Sequence, residues 1–242
     1  MAHSLFELRP VLVRDFDACD RIIATAFADD MMPFMFPNGR NERDRAHGYP
    51  LFVKHLNDPQ DVHRYMAVID ITAKPDRADL AHLSSTERTE AEKEGRIAGV
   101  AYWNFHRKSR TQEELAAKGK AAEAEGTSPS ANVAFIEAFF GQLLKAKRDI
   151  LGGKPHVLLH ILGTDPNYHR KGIGAMHLRW GLDEADRLGI PVYLEASLIG
   201  EPLYERWGFE PIRRLGMGDV KFMGMPSPDP MLMLRPAKRA VS

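Results

Sequence analysis

At 242 residues the chain can enclose one generous core, and its 33 Lys plus Arg balance its 33 Asp plus Glu at a pI near 7.2. That balance leaves no broad positive footprint for a polynucleotide, and no run of about 18 apolar residues appears for a membrane span, so neither partner is expected. Cys19 stands alone, which excludes an intrachain disulfide and a cysteine-rich zinc site.

The opening, MAHSLFELRPVLVRDFDACD, carries charges among its apolar residues rather than the continuous apolar stretch of a signal peptide, so a cytoplasmic location is expected. Within it FELRPVLVRD suits a short strand. The following DFDACDRIIATAFADD sets Ala18, Ile22, Ile23 and Ala26 on one helical face, with Cys19 as a small apolar member of that helix. In MMPFMFPNGR, prolines bracket Met31, Phe34 and Phe36, where neither a long helix nor a central strand fits. Two readings stay open there: a loop folded over the core, or the apolar lip of a substrate site whose methionines adapt to shape.

A helix is expected from Arg40 to Asn57, then strands at RYMAVID and GRIAGVAYWNF. A polar insertion near 73–94 separates those strands and reads as a surface excursion. A second, near 106–130, is rich in Ala, Glu and Lys, with too few large apolar residues to hold a core; it reads as a mobile, partly helical insertion. The whole chain, 1–242, is thus expected to form a single domain carrying two insertions. Next, ANVAFIEAFFGQLLKAKRDI places Phe135, Ile136, Phe139, Phe140, Leu143 and Leu144 on a helical face, ended by Gly152-Gly153.

HVLLHILGT, residues 156–164, is fenced by Pro155 and Pro166 and is apolar on both alternating faces, as a central buried strand should be. His156 and His160 lie on it four residues apart, roughly 13 Å along a strand, too far to share one metal ion; no metal is expected. Beyond the loop, Ala175, Leu178, Leu182 and Ala185 keep helical spacing up to Gly189. PVYLEAS is a further strand, GEPLYERWGFEPIRRLG a short helix and a strand, and MLMLRP the last strand.

Strand, glycine-bearing turn and helix together make an anion site, because the first N–H groups of a helix point outward and the helix dipole adds positive potential. Arg170 and Lys171 add charge, and Gly172 and Gly174 let a phosphate approach. A Walker loop is excluded, since no Gly-Lys-Ser/Thr follows at the required spacing. A Rossmann dinucleotide site stays open: Gly172-x-Gly174 follows a strand and Glu195 lies where a ribose acid belongs, although His177 replaces the third glycine.

The segment from His156 to Phe209 resembles the GCN5-related N-acetyltransferases, in which a Q/R-x-x-G-x-G/A loop holds the pyrophosphate of acetyl-CoA and a tyrosine shortly precedes a Gly-Phe turn. Here these are His169-Arg170-Lys171-Gly172-Ile173-Gly174 and Leu203-Tyr204-Glu205-Arg206-Trp207-Gly208-Phe209, with His169 where Gln or Arg is usual. The resemblance implies an α/β fold, a mixed and mainly antiparallel central sheet flanked by helices, with the strands Val157–Thr164 and Val192–Ala196 splayed apart. It implies a cofactor site made by Leu162, Gly163 and Thr164 along the pantetheine and His169, Arg170, Lys171, Gly172, Ile173, Gly174 and Ala175 around the pyrophosphate. Direct attack of an amine on the thioester is the implied chemistry. An ammonium of pKa about 10 must first lose its proton. Leu158 stands where histone-acetylating members carry a glutamate base, and His160 where arylalkylamine-acetylating members carry a histidine, whose reference pKa of about 6.5 suits a base. Tyr204 is the implied donor to the departing sulfur, and on the second reading of their loop Met31, Phe34 and Phe36 are the acceptor lip. The acceptor is a small-molecule amine or a peptide, and family members often dimerise. A silent acyl-CoA-binding protein and a Rossmann oxidoreductase remain the alternatives.

Overall fold

The nine residues from His156 to Thr164 form a single strand over their whole length. The protein's structure is a computed structural model that describes residues 5–58, 62–216, 221–222, 225–226 and 228–238. In chain order its elements are β1 (Phe6–Pro10), α1 (Phe16–Ala26), α2 (Met32–Met35), α3 (Glu42–Leu56), β2 (His63–Asp70), α4 (Ser85–Glu94), β3 (Arg96–His106), α5 (Gln112–Glu125) and α6 (Val133–Leu151). There follow β4 (His156–Thr164), α7 (Ile173–Leu188), β5 (Val192–Ala196), α8 (Glu201–Arg206), β6 (Glu210–Arg214), the two-residue strands β7 (Lys221–Phe222) and β8 (Met225–Pro226), and β9 (Met231–Arg235). The chain divides into two compact units. One comprises the residues to Ala28, Tyr49–Phe105 and Leu159–Glu184; the other comprises Asp29–Gly48, His106–Leu158 and the residues from Ala185 on.

In the first unit the strand order is β1-β2-β3-β4. β1 pairs antiparallel with β2, and β2 with β3, through a bulge at Val68/Ile69. The period-2 alternation of β2 sends Ala67 and Ile69 to one face, where Phe16, Cys19 and Ile22 of α1 cover them together with Val100 and Tyr102. Val68 points to the other face, against Ala98, Tyr168 and Ile173. Helix α7 lies close to β3 because two glycines open the way. A Cβ at Gly99 would meet Ile173 Cγ2 at 2.5 Å, and one at Gly181 would meet the Trp103 ring at 2.2 Å.

In the second unit β9 pairs antiparallel with both β5 and β6, in the order β5-β9-β6. With β1 to β4 these make seven strands, most of them antiparallel and flanked by helices. The unit's core gathers Phe135 and Phe139 of α6 with Leu158, Tyr193 and Leu232. Helix α6 starts at Asn132, whose side chain accepts from Phe135 N–H, and ends at Gly152 in the left-handed conformation at φ 55°. Leu144, expected on its apolar face, is instead 51 % exposed, since a step of one from Leu143 turns the side chain outward.

Both insertions are fastened more firmly than their composition predicts. The first contains a turn at Ala78–Leu80 with Asp79 and Leu80 buried, followed by α4, whose N-terminus is closed by a Ser84–Glu87 capping box. The end of the second is tied to buried Asp44 of α3. That carboxylate accepts from Ser128 Oγ at 2.7 Å, Ser130 N at 2.9 Å and Asn41 N at 2.8 Å. Burial alone would raise the Asp44 pKa, but these donors outweigh it and hold the group well below the usual carboxylate range.

Candidate active site

β4 hands the chain to the loop through a short turn at Pro166–Tyr168, opened by Asp165, whose carboxylate accepts from Asn167 N. Tyr168 is buried and donates its hydroxyl to Asp70 Oδ2 at 3.0 Å. Lys171 then lies with Nζ 4.7 Å from the centre of the Tyr168 ring. Arg170 takes a left-handed φ of 65°, and Gly172 one of 85° with nothing within 4 Å of where a Cβ would be, so the glycine is there for its backbone angle and leaves open space. Met176 N–H bonds to Gly172 C=O at 3.1 Å and starts the ladder of α7. The N–H groups of Ile173, Gly174 and Ala175 therefore have no acceptor within the helix. Those donors, the helix dipole and the exposed Arg170 and Lys171 make a donor set that fits a pyrophosphate.

The first unit holds His160 and the whole expected cofactor run. Leu162 and Thr164 are half-buried and Gly163 is buried beneath α1, where its Cβ would stand 3.4 Å from Ile22 and Ala26. His169, Arg170, Lys171 and Gly172 are exposed, Ile173 is buried, and Gly174 and Ala175 are half-buried. His160 is exposed, whereas the preceding residues His156 to Leu159 are buried.

The second unit holds Tyr204 and the residues expected to form an apolar lip. Tyr204 is half-buried on α8, its ring 5.8 Å from that of Phe209 at 68°, and Phe209 N–H reaches back to Tyr204 C=O at 3.2 Å across Gly208, at φ 84°. Burial holds the Tyr204 phenol above its ordinary pKa, so the group carries its proton at neutral pH. Met31 and Phe36 are half-buried, while Phe34 is buried in the core and stacked on Phe135 at 5.3 Å. His156 is buried and its Nδ1 lies 2.7 Å from Lys154 C=O. No group of three metal-ligating side chains occurs among the described residues.

The dinucleotide reading of Gly172-x-Gly174 is overturned. A Rossmann sheet is parallel, whereas these strands are mostly antiparallel. His177, at the third glycine's position, is fully buried in the core, where burial pushes its imidazole down to about 4. Glu195, the supposed ribose acid, is raised by burial against the opposing charge of Lys147.

A ring of support around the loop was not anticipated from sequence. Arg21 of α1 and Arg96 of β3 each donate to Asp165 Oδ2 at 2.9 Å. Pro166 marks the end of the strand in the sequence; the arginine partners of Asp165, far away in sequence, carry no local signal.

A mainly antiparallel sheet whose β4 turns through a glycine-bearing loop into α7 is an α/β architecture with open backbone donors at a helix start. The chain belongs to the Acetyltransferase (GNAT) family, whose profile matches residues 53–209. A probable acyltransferase, SID5, of Ajellomyces capsulatus is 42% identical over 51 residues, 21% of this chain and 35% of that protein, so the match spans about a third of the relative's length. Arylalkylamine N-acetyltransferase 2 from Aedes aegypti is similar in fold at a TM-score of 0.60 and 15% identity, covering 96% of this chain and 99% of its own. A Corynebacterium glutamicum protein described as histone acetyltransferase HPA2 and related acetyltransferase gives 0.51 at 18% identity, with 98% and 99% covered. No helix among the described residues is long and apolar enough to cross a membrane.

Proposed function

We propose that the protein transfers the acetyl group of acetyl-CoA to the primary amine of a small molecule or a peptide by direct attack. The observation that carries this reading is the passage from β4 through Gly172 into α7, with unpaired first-turn N–H groups beside Arg170 and Lys171. When bound, acetyl-CoA supplies an acetyl thioester as the electrophile.

In this proposal the residues from Leu162 to Thr164 line the pantetheine and those from His169 to Ala175 hold the pyrophosphate. The chain, 1–242, is a single N-acetyltransferase domain in this reading. His160 takes the ammonium proton at an imidazole nitrogen, directly or through water, and so exposes the nitrogen lone pair. Tyr204 keeps its proton on Oη and shares it with the departing sulfur. A phenol at pKa about 10 against a thiol at about 8.5 makes full transfer uphill by roughly 2 kcal/mol, so hydrogen bonding is its main contribution. The raised Tyr204 pKa supports that division. Half-buried Met31 and Phe36 supply an apolar wall to the acceptor.

A panel of amines and short peptides, followed by release of free CoA thiol, tests the reading. Acetyl-CoA at 100 times its dissociation constant should also stabilise the fold by about 2.7 kcal/mol. Stabilisation by acetyl-CoA without thiol release from any amine would leave a silent binder; stabilisation by NADH but not CoA would end the acetyltransferase reading.

A further inference from the structure

The insertion between β2 and β3 reaches the loop through a chain of ion pairs. Arg21 grips Asp79 with two bonds, Nε to Oδ1 at 2.8 Å and Nη2 to Oδ2 at 2.9 Å, while its Nη1 donates to Asp165 Oδ2 at 2.9 Å. Arg96 donates from Nη1 to Asp76 Oδ1 and from Nη2 to Asp165 Oδ2, both at 2.9 Å. The remaining oxygen of Asp165 accepts from the backbone and side-chain nitrogens of Asn167, each at 3.0 Å. The Asp165 side chain is 2 % exposed and that of Asp79 is 6 % exposed. Burial alone would raise the Asp165 pKa, yet the bonds from Arg96, Asn167 and Arg21 bring it below the ordinary value, so the charged form is the one held.

We propose that Asp76 and Asp79 of the insertion, acting through Arg21, Arg96 and Asp165, are positioning residues that fix the turn leading into the pyrophosphate loop and thereby set affinity for the nucleotide half of the donor. This rests on the reading that residues 169–175 hold the pyrophosphate. The arginines do not serve the phosphate by charge, because the bonds of their Nη groups and of Arg21 Nε go to three carboxylates and the cluster is net negative. They serve by geometry. Asp165 directly follows β4 and its carboxylate takes four bonds, so the start of the turn is clamped between α1 and β3. The end of the turn is clamped separately by Tyr168 on Asp70, at 3.0 Å. Between these clamps and the helix start lie only a few residues, among them Lys171, laid over the fixed Tyr168 ring. Arg forks hold such geometry where an ammonium cannot, so Arg21→Lys removes the two-pronged grip while keeping the charge.

Acetyl-pantetheine, which lacks pyrophosphate and nucleotide, is the discriminating donor. Wild type, Asp79→Asn and Arg21→Lys are each assayed with acetyl-CoA and with acetyl-pantetheine on one preparation, using an amine turned over by the wild type. The ratio of the two kcat/KM values cancels any unfolded fraction. Misplacement of a binding group by about 1 Å costs up to about 10²-fold, and a drop of about tenfold in the acetyl-CoA to acetyl-pantetheine ratio is expected, carried by KM for acetyl-CoA rather than by kcat. A ratio within about twofold of wild type in both variants, whether neither donor is affected or both fall together, overturns the proposal. Gly174→Glu separates this from the reading beneath it. If it abolishes CoA binding in a calorimetric titration while the two network variants keep the wild-type ratio, only the proposal fails; if it leaves CoA binding intact, the loop reading fails and takes the proposal with it.

Discussion

The Cβ that Gly181 lacks would stand 2.2 Å from Cζ2 of Trp103, inside the van der Waals radius of a fully buried indole. In the middle of α7 a glycine costs roughly 1 kcal/mol of helix propensity relative to alanine, so the residue is present for the approach of helix to strand. Gly181→Ala is therefore expected to destabilise by about 1–3 kcal/mol net, as overpacking pushes Trp103 off its rotamer. Exposed Gly141 of α6 has nothing within 4 Å of its missing Cβ, and Gly141→Ala should stabilise by about 0.5–1 kcal/mol. Urea midpoints measured side by side check the pair, and equal effects of the same sign would refute the packing account.

That contrast also marks what sequence made legible. Elements with a strong period or hard punctuation came through: β4 between its prolines, α6 ended by Gly152, and α7 behind its glycines. So did the glycine-bearing turn between β4 and α7, because Gly172 sits where the backbone takes a positive φ. Features set by distant pairing did not. Nothing near residue 79 announces Arg21, and nothing in the low-apolar stretch before Asn132 announces Asp44, so the first insertion reads as a surface excursion and the second as a mobile, partly helical one. Phe34, grouped from sequence with Met31 and Phe36, stacks on Phe135 because a run of apolar residues between prolines does not say which of them points inward.

Asp44 gives an acid-sensitive fastening for the end of the second insertion. Its pKa is lowered in the folded state, so the unfolded chain binds the proton more readily and the stabilisation is complete above the unfolded value near 3.9 and fades as pH falls below it. Asp44→Asn keeps the size but loses charge and an acceptor, and should cost about 1–3 kcal/mol at pH 7. The gap between wild type and variant should close below about pH 4. Thermal melts across that range check this; a gap constant from pH 7 to pH 3 would mean that ionisation of Asp44 is not what holds Ser128 and Ser130.

Tyr204→Phe retains the ring that packs on Phe209 and removes only Oη. If that hydroxyl shares its proton with the leaving sulfur, turnover should fall by about 10²- to 10⁴-fold while CoA affinity stays within about twofold. Steady-state rates with a calorimetric Kd separate the two quantities. Turnover near wild type would leave Tyr204 as a packing residue of α8.

His160 is exposed on β4 directly after a buried run, and an imidazole there matches the need for a base that works near neutral pH. Removing it should hurt most where the amine is still an ammonium and the solution offers little hydroxide. His160→Gln is therefore expected to lower kcat/KM by about 10²-fold or more at pH 7 and to approach wild type as pH rises toward the amine's own pKa of about 10. A histidine that merely supported the strand would lower the rate by the same factor at every pH, through a smaller folded fraction that a melting curve would reveal. The decisive measurement is the pH profile of kcat/KM for variant over wild type with one amine. A profile that climbs by an order of magnitude or more between pH 7 and pH 10 assigns the proton to His160; a flat one removes His160 from the reaction and leaves water or a carboxylate to take it.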